Sequence, residues 1–268
     1  MTKLKLKMIS RRNTLYLMSA APAALMFSKY AFAKPNLALQ KIKELTKNNA
    51  VEEIDLFLDL PEIAENGNQV KVSFDIDSPM TQDNFVKTVY ILADGNPAPN
   101  VAKFSFSTDM GACSATTRMR LSKTQNIYLL AEYNNGKFAM TKSKVKVTIG
   151  GCGGWRKEYC MSKIKPRGKV PKKASLDEIV EIKTLIRHPM HSGRMKDKDG
   201  KKIPKRIINK FLVKFNGKRV FDMDLEPSIS TNPYIAFPFK AQKTGTFDFE
   251  WTDDNGEKYT MSRKMTVS

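Results

Sequence analysis

The chain has 268 residues, with 46 Lys/Arg against 27 Asp/Glu and a formal net charge of +19. Its length and 41% hydrophobic content supply more than one packed core, and three cysteines are too few for a small scaffold held by disulfides. The excess charge is concentrated in particular segments.

Residues 1–33 read as a targeting segment. Lys3, Lys5 and Lys7 lead to Ser10-Arg11-Arg12, an apolar run around Leu15 to Phe27, and a small–x–small site at Ala31-Phe32-Ala33. Paired arginines before a moderately apolar run indicate twin-arginine export. The run falls short of the roughly 20 residues that span a bilayer. The expected mature chain is therefore soluble, periplasmic in a bacterium, and without a membrane anchor.

Asn36 to Lys47 predicts a short helix. Ile54, Leu56, Leu58 and Leu60 alternate with polar positions, the period of a half-buried strand. Further strands are predicted over Val70–Asp77, Val86–Leu92, Val101–Phe106, Thr117–Leu121, Ile127–Tyr133 and Ser143–Ile149, which leaves Cys113 in a loop. Asn135-Gly136 marks a hairpin. A second series follows: Ile179–Ile186, Asn209–Phe215, Arg219–Leu225, Tyr234–Phe239, Thr246–Trp251 and Tyr259–Val267, with hairpins at Asn216-Gly217 and Asn255-Gly256. These series predict an all-β protein of two immunoglobulin-like β-sandwich domains, 34–149 and 174–268. Between them, residues 150–173 form a flexible Gly-rich arm and a basic linker. Residues Trp155 to Lys173 carry eight basic residues and one acidic residue, with Pro166, Gly168 and Pro171 and no hydrophobic period. Such a linker is ordinarily just solvated; it can also concentrate small anions and favour a thiolate.

The arm begins with Gly150-Gly151-Cys152-Gly153-Gly154, a cysteine between two glycine pairs. Glycine adds no side chain and opens backbone angles closed to other residues, so the segment cannot build a core. A catalytic nucleophile needs its base fixed beside it, whereas a thiol on a pliable strip suits a carrier, loaded in one place and presented in another. The alternative is an enzyme, a thiol-dependent sulfurtransferase or redox catalyst with Cys152 as nucleophile. Cys113, Cys152 and Cys160 make an odd set, so at least one lies outside any intramolecular disulfide. Pairing of Cys152 with Cys160 would silence the carrier thiol and stays open. His188 and His191 fall short of a stable metal site, so no metal or cofactor is expected. Nucleic acid is a poor candidate partner, because export removes the chain from it and no recognition motif appears.

The chain resembles the sulfur carrier of the Sox thiosulfate-oxidation system, with SoxY and SoxZ joined in one polypeptide. The first half is similar to SoxY in Leu60-Pro61-Glu62-Ile63-Ala64-Glu65-Asn66-Gly67 and in Thr117-Arg118-Met119-Arg120-Leu121. It is similar again in Lys144-Val145-Lys146-Val147-Thr148-Ile149 leading into the glycine-flanked Cys152. The second half resembles SoxZ in Glu181 to Met190, in Ser230-Thr231-Asn232-Pro233-Tyr234-Ile235-Ala236-Phe237, and in Trp251-Thr252-Asp253-Asp254-Asn255-Gly256. The resemblance implies a non-catalytic carrier that holds thiosulfate-derived sulfur on Cys152, with Gly150, Gly151, Gly153 and Gly154 as a swinging arm. The implied partners are the haem enzyme SoxAX, the sulfate-releasing SoxB and a sulfur dehydrogenase. One departure stands out: in SoxY the motif ends the chain, whereas here Trp155 continues it.

Overall fold

The structure, a computed structural model, describes residues 35–151, 164–197 and 199–268. All of these but Pro35 fall in one compact unit, Asn36–Ser268. Its first half contains α1 (Leu37–Leu45), β1 (Val51–Glu53), β2 (Phe57–Asp59), β3 (Ile63–Asn66), β4 (Val70–Ile76), β5 (Val86–Ala93), β6 (Asn100–Phe106), β7 (Cys113–Met119), β8 (Gln125–Tyr133) and β9 (Phe138–Ile149). The second half contains β10 (Pro166–Lys169), β11 (Lys173–Ala174), β12 (Ile179–Ile186), β13 (Ile208–Phe215), β14 (Lys218–Leu225), β15 (Tyr234–Lys240), β16 (Gly245–Asp253) and β17 (Lys258–Val267).

The all-β expectation holds, and the two halves share their sheets. One sheet runs β1-β9-β8-β5-β6-β14-β13-β16-β17-β11, with β3 also on β9; the other runs β10-β12-β15-β7-β4-β2. In the larger sheet the seam is a ladder from Phe106 opposite Phe221 to Ala102 opposite Leu225. In the smaller it narrows to Thr116 opposite Ala236. A single apolar cluster crosses the seam, with Phe74, Phe104 and Phe106 on one side and Phe211, Phe221 and Phe237 on the other. Phe74 meets Phe104 edge-on at 5.1 Å, and Phe221 stacks on Phe237 at 4.6 Å. Each buried ring contributes about 2 kcal/mol of transfer free energy, and rings at the seam do so only when both halves are present.

The three Asn-Gly hairpins form as predicted. Gly136, Gly217 and Gly256 each have φ near +80°, and Asn216 joins Gly217 at positive φ as a two-residue turn with right-handed twist requires. The N-terminal helix also forms. Asn36 Oδ1 accepts from the Ala38 and Leu39 amides, and Ala38 and Ile42 pack on Leu92, Tyr128 and Leu130.

Three expectations need correction. Ile54 to Leu60 is not one strand, because β1 pairs with β9 in one sheet and β2 pairs with β4 in the other. The chain changes sheets at Leu56, which is buried while Ile54 is exposed. Cys113 is not in a loop; it opens β7 opposite Ile76 and is fully buried. The C-terminal part of the supposed linker is sheet, since β10 pairs with β12 and β11 runs parallel to β17. Alternation was hidden there because both strands are short and basic on their outer face.

Candidate functional site

The site is the end of β9 and what holds it. Beyond Val145, β9 leaves β8 and runs parallel to β3, with Ile63 opposite Lys146 and Asn66 opposite Ile149. The next residues are clamped backbone to backbone. The Gly67 amide donates to the Ile149 carbonyl at 2.7 Å, the Leu121 amide to the Gly67 carbonyl at 2.8 Å, and the Gly151 amide to the Leu121 carbonyl at 2.8 Å. Ile149 is 65% exposed, yet Gly151, two residues on, is buried.

Glycine is required in this clamp because the backbones approach too closely for a side chain. A Cβ on Gly67 would lie 2.3 Å from the Leu121 carbonyl oxygen. One on Gly150 would lie 2.3 Å from the Ser122 carbonyl oxygen, and one on Gly151 would lie 2.1 Å from the Gly67 carbonyl oxygen. Gly150 and Gly151, expected as moving parts of an arm, are thus its fixed root. Cys152, Gly153 and Gly154, with Trp155 and Cys160, lie outside the described residues.

The second half braces the root. Segment Glu226–Thr231 runs beside Arg118–Leu121. The Arg120 amide donates to the Ser228 carbonyl at 2.6 Å, the Ser230 amide donates to the Arg118 carbonyl at 3.0 Å, and Met119 bridges Ile229. Ser230 Oγ donates to the Asn68 carbonyl at 2.8 Å, next to Gly67. Arg120 is buried, and its guanidinium donates to the Met190 carbonyl at 2.8 Å, the Thr231 hydroxyl at 2.9 Å, and the Pro189 and Pro227 carbonyls at longer range. A fork with five donors suits such a set of acceptors better than a single ammonium would. Asn96 completes the brace: its side chain donates to the Arg120 carbonyl and to Ser228 Oγ, and it accepts from the Ser122 amide and from Gln125.

His188 belongs to this brace. It is fully buried, and its Nδ1 accepts from the Met190 amide at 3.1 Å. Burial, with the Arg206 charge second, pushes its pKa down to about 4, which keeps the ring neutral as an acceptor. Cys113 lies elsewhere, inside β7, where burial and then the Asp75 charge push its thiol well up, away from reactivity. Sequence reasoning caught Gly67 and Arg120 inside quoted motifs. It missed Asn96 and Ser228, which stand in turns and show no period; Asn96, between Gly95 and Pro97, carried only a turn signal.

Family models match most of the chain: "Sulfur oxidation protein SoxY" over residues 42–152 and "Sulphur oxidation protein SoxZ" over 168–264. Among solved structures, the sulfur carrier protein SoxY from Chlorobium limicola f thiosulfatophilum is 28% identical. The match covers 42% of this chain and 97% of that one, at a TM-score of 0.37. A superoxide reductase (neelaredoxin) from Ignicoccus hospitalis is 16% identical over 41% of this chain and 89% of its own, at a TM-score of 0.31. Curated protein sequences gave no match.

Proposed function

We propose, from the premise that this chain belongs to the SoxY and SoxZ families and joins the two in one polypeptide, that it is a periplasmic carrier. In this reading Cys152 holds thiosulfate-derived sulfur covalently and presents it to partner enzymes. The observation that carries the reading is the placement of the SoxY match, which ends at residue 152, one position past the clamped Gly151. A thiol one residue past that clamp has a fixed origin before it and two glycines after it in the sequence, an arrangement that suits presentation to partners.

The family chemistry accounts for a single handle. The Cys152 thiolate and the sulfane sulfur of thiosulfate lose two electrons to the haem of SoxAX, and an S–S bond forms to give Cys–S–S–SO3−. Water then attacks at SoxB, sulfate leaves, and a persulfide stays on the cysteine for a dehydrogenase or for transfer. The chain itself supplies attachment and presentation. The basic residues after Gly154 favour the thiolate and draw anions towards it. Export by the twin-arginine route, read from Ser10-Arg11-Arg12 and the apolar run that follows, with residues 1–33 removed, would deliver the carrier already folded.

Peptide mapping of protein from cells oxidising thiosulfate tests this. A reducible sulfur adduct on the Cys152 peptide, lost in Cys152→Ser without a change in melting temperature, is the expected result. An adduct on Cys113 or Cys160, or turnover of thiosulfate by the chain alone, would refute it.

A further inference from the structure

Between Met190 and Ile207 the chain makes an excursion that the carrier reading does not use. It is a β-hairpin: the His191 and Arg206 amides and carbonyls exchange hydrogen bonds at 2.8 and 2.9 Å, and the Ile203 amide donates to the Met195 carbonyl. Asp197 Oδ1 shapes the tip by accepting from the Asp199 and Lys201 amides. Residues Arg194 to Arg206 contain seven Lys/Arg and two Asp.

The charges near the base and those near the tip behave differently. Lys205 pairs with Asp254, and Arg206 with Asp253 and Glu257. Arg194, Lys196, Lys201 and Lys202 are exposed and have no ion pair among the described residues. Lys196 and Lys202 moreover stand directly opposite each other across the hairpin. Like charges in that position destabilise a strand pair, so the arrangement opposes folding, and such local conflicts mark functional sites.

The hairpin also stands next to the arm. Ser192, Arg194 and Met195 line the same small cavity as Gly151 and Arg120. Cys152 follows Gly151 by one peptide unit, roughly 3.8 Å between α carbons, so the hairpin stands beside the last described residue before the thiol. The scale of the charge pattern favours a protein over a small anion. Each arm of the hairpin has about six residues, or roughly 20 Å at strand rise, and the cavity at its foot has room for about one water.

We infer that the hairpin His191–Arg206 is a docking surface for an acidic rim around the active-site entrance of the enzymes that act on Cys152. This rests on the carrier reading. Complementary charge on such a rim speeds encounter and makes it sensitive to salt, while leaving the chemistry of the docked pair alone.

The test is the triple variant Lys196→Glu, Lys201→Glu, Lys202→Glu in the full chain; it keeps a like-charge pair across the bridge while reversing its sign. The probe is purified SoxAX, and the readout is the second-order rate of Cys152 loading with thiosulfate at 20 and 200 mM salt. The expected result is a fall of about tenfold or more at low salt, a flattened or inverted salt dependence, and an unchanged rate at saturating SoxAX. The rate with neutral methyl methanethiosulfonate, which reads thiol access alone, should stay the same. An unchanged loading rate with unchanged salt dependence would overturn the inference and leave the carrier reading intact. So would binding of a DNA duplex, at physiological salt, that only the wild-type hairpin supports while loading is unaffected. Failure of SoxAX to load the wild-type chain would remove both.

Discussion

The Gly151 amide donates to the Leu121 carbonyl at 2.8 Å, one residue before the cysteine on which the carrier reading rests. That bond ties the origin of the arm to a strand end that the second half holds through Ser228 and Ser230. On the carrier reading, the SoxZ-like half therefore acts on the cargo site mechanically, by fixing where the tether starts.

Gly67→Ala should loosen this root. Its methyl would lie 2.3 Å from the Leu121 carbonyl oxygen, and the backbone has to part to admit it. Overpacking of this kind costs about 1–3 kcal/mol, and the melting temperature of a domain this size falls by about 2–4 °C per kcal/mol. Hydrogen exchange should show the Leu121 and Gly151 amides losing protection first. Unchanged protection at these two amides would show that the clamp does not depend on close approach.

Arg120→Met should cost at least about 3 kcal/mol, because it strands buried acceptors of the second half, among them the Met190 carbonyl and the Thr231 hydroxyl. Arg120→Lys should recover only a minor part, since an ammonium cannot reach both sides of the fork. Urea denaturation of the three proteins measures this. Full rescue by Lys would mean that charge rather than geometry matters.

His188 should make the protein acid-labile. The unfolded chain binds this proton near pH 6.5 and the folded chain only near 4. Unfolding therefore takes up a proton between these values, and stability falls as the pH drops through that window, by about 2 kcal/mol at pH 5. His188→Gln, neutral throughout, should lose less stability than the wild type between pH 7 and 5. Parallel pH profiles in urea unfolding would rule out His188 as the cause.

The second half alone should fold poorly. Residues 164–268 by themselves leave β14 and β15 as open edges flanked by Phe221 and Phe237, an invitation to aggregate. Co-expression with residues 34–154 should yield a soluble one-to-one complex on size exclusion. A well-folded monomer of the isolated half would show that the seam is dispensable.

Cys113 should resist iodoacetamide in the native protein and react only in denaturant, because the thiolate form is disfavoured where the side chain is buried beside Asp75. Rapid native alkylation at Cys113, mapped by mass spectrometry, would contradict its place in β7.

By itself the sequence determined whatever is written in local period and turn chemistry. Ile179–Ile186 alternates and is a strand over just those residues; Asn216-Gly217 permits positive φ at two successive positions and closes a hairpin there. The motifs around Gly67 and Arg120 were likewise legible as residues. Their roles were not, since a glycine tolerated for flexibility and a glycine demanded, as Gly67 is, by a carbonyl oxygen 2.3 Å from its absent Cβ are the same letter. The tertiary structure alone decided that Gly150 and Gly151 are an anchor, that Phe106 meets Phe221 across a continuous sheet, and that β10 and β11 belong to the second half. It also brought the 191–206 hairpin to the foot of the arm. Those outcomes depend on pairings between residues far apart in the chain, and such pairings leave no period behind them: Asn96 bonds to Ser228, 132 positions away, and nothing near either residue announces the other.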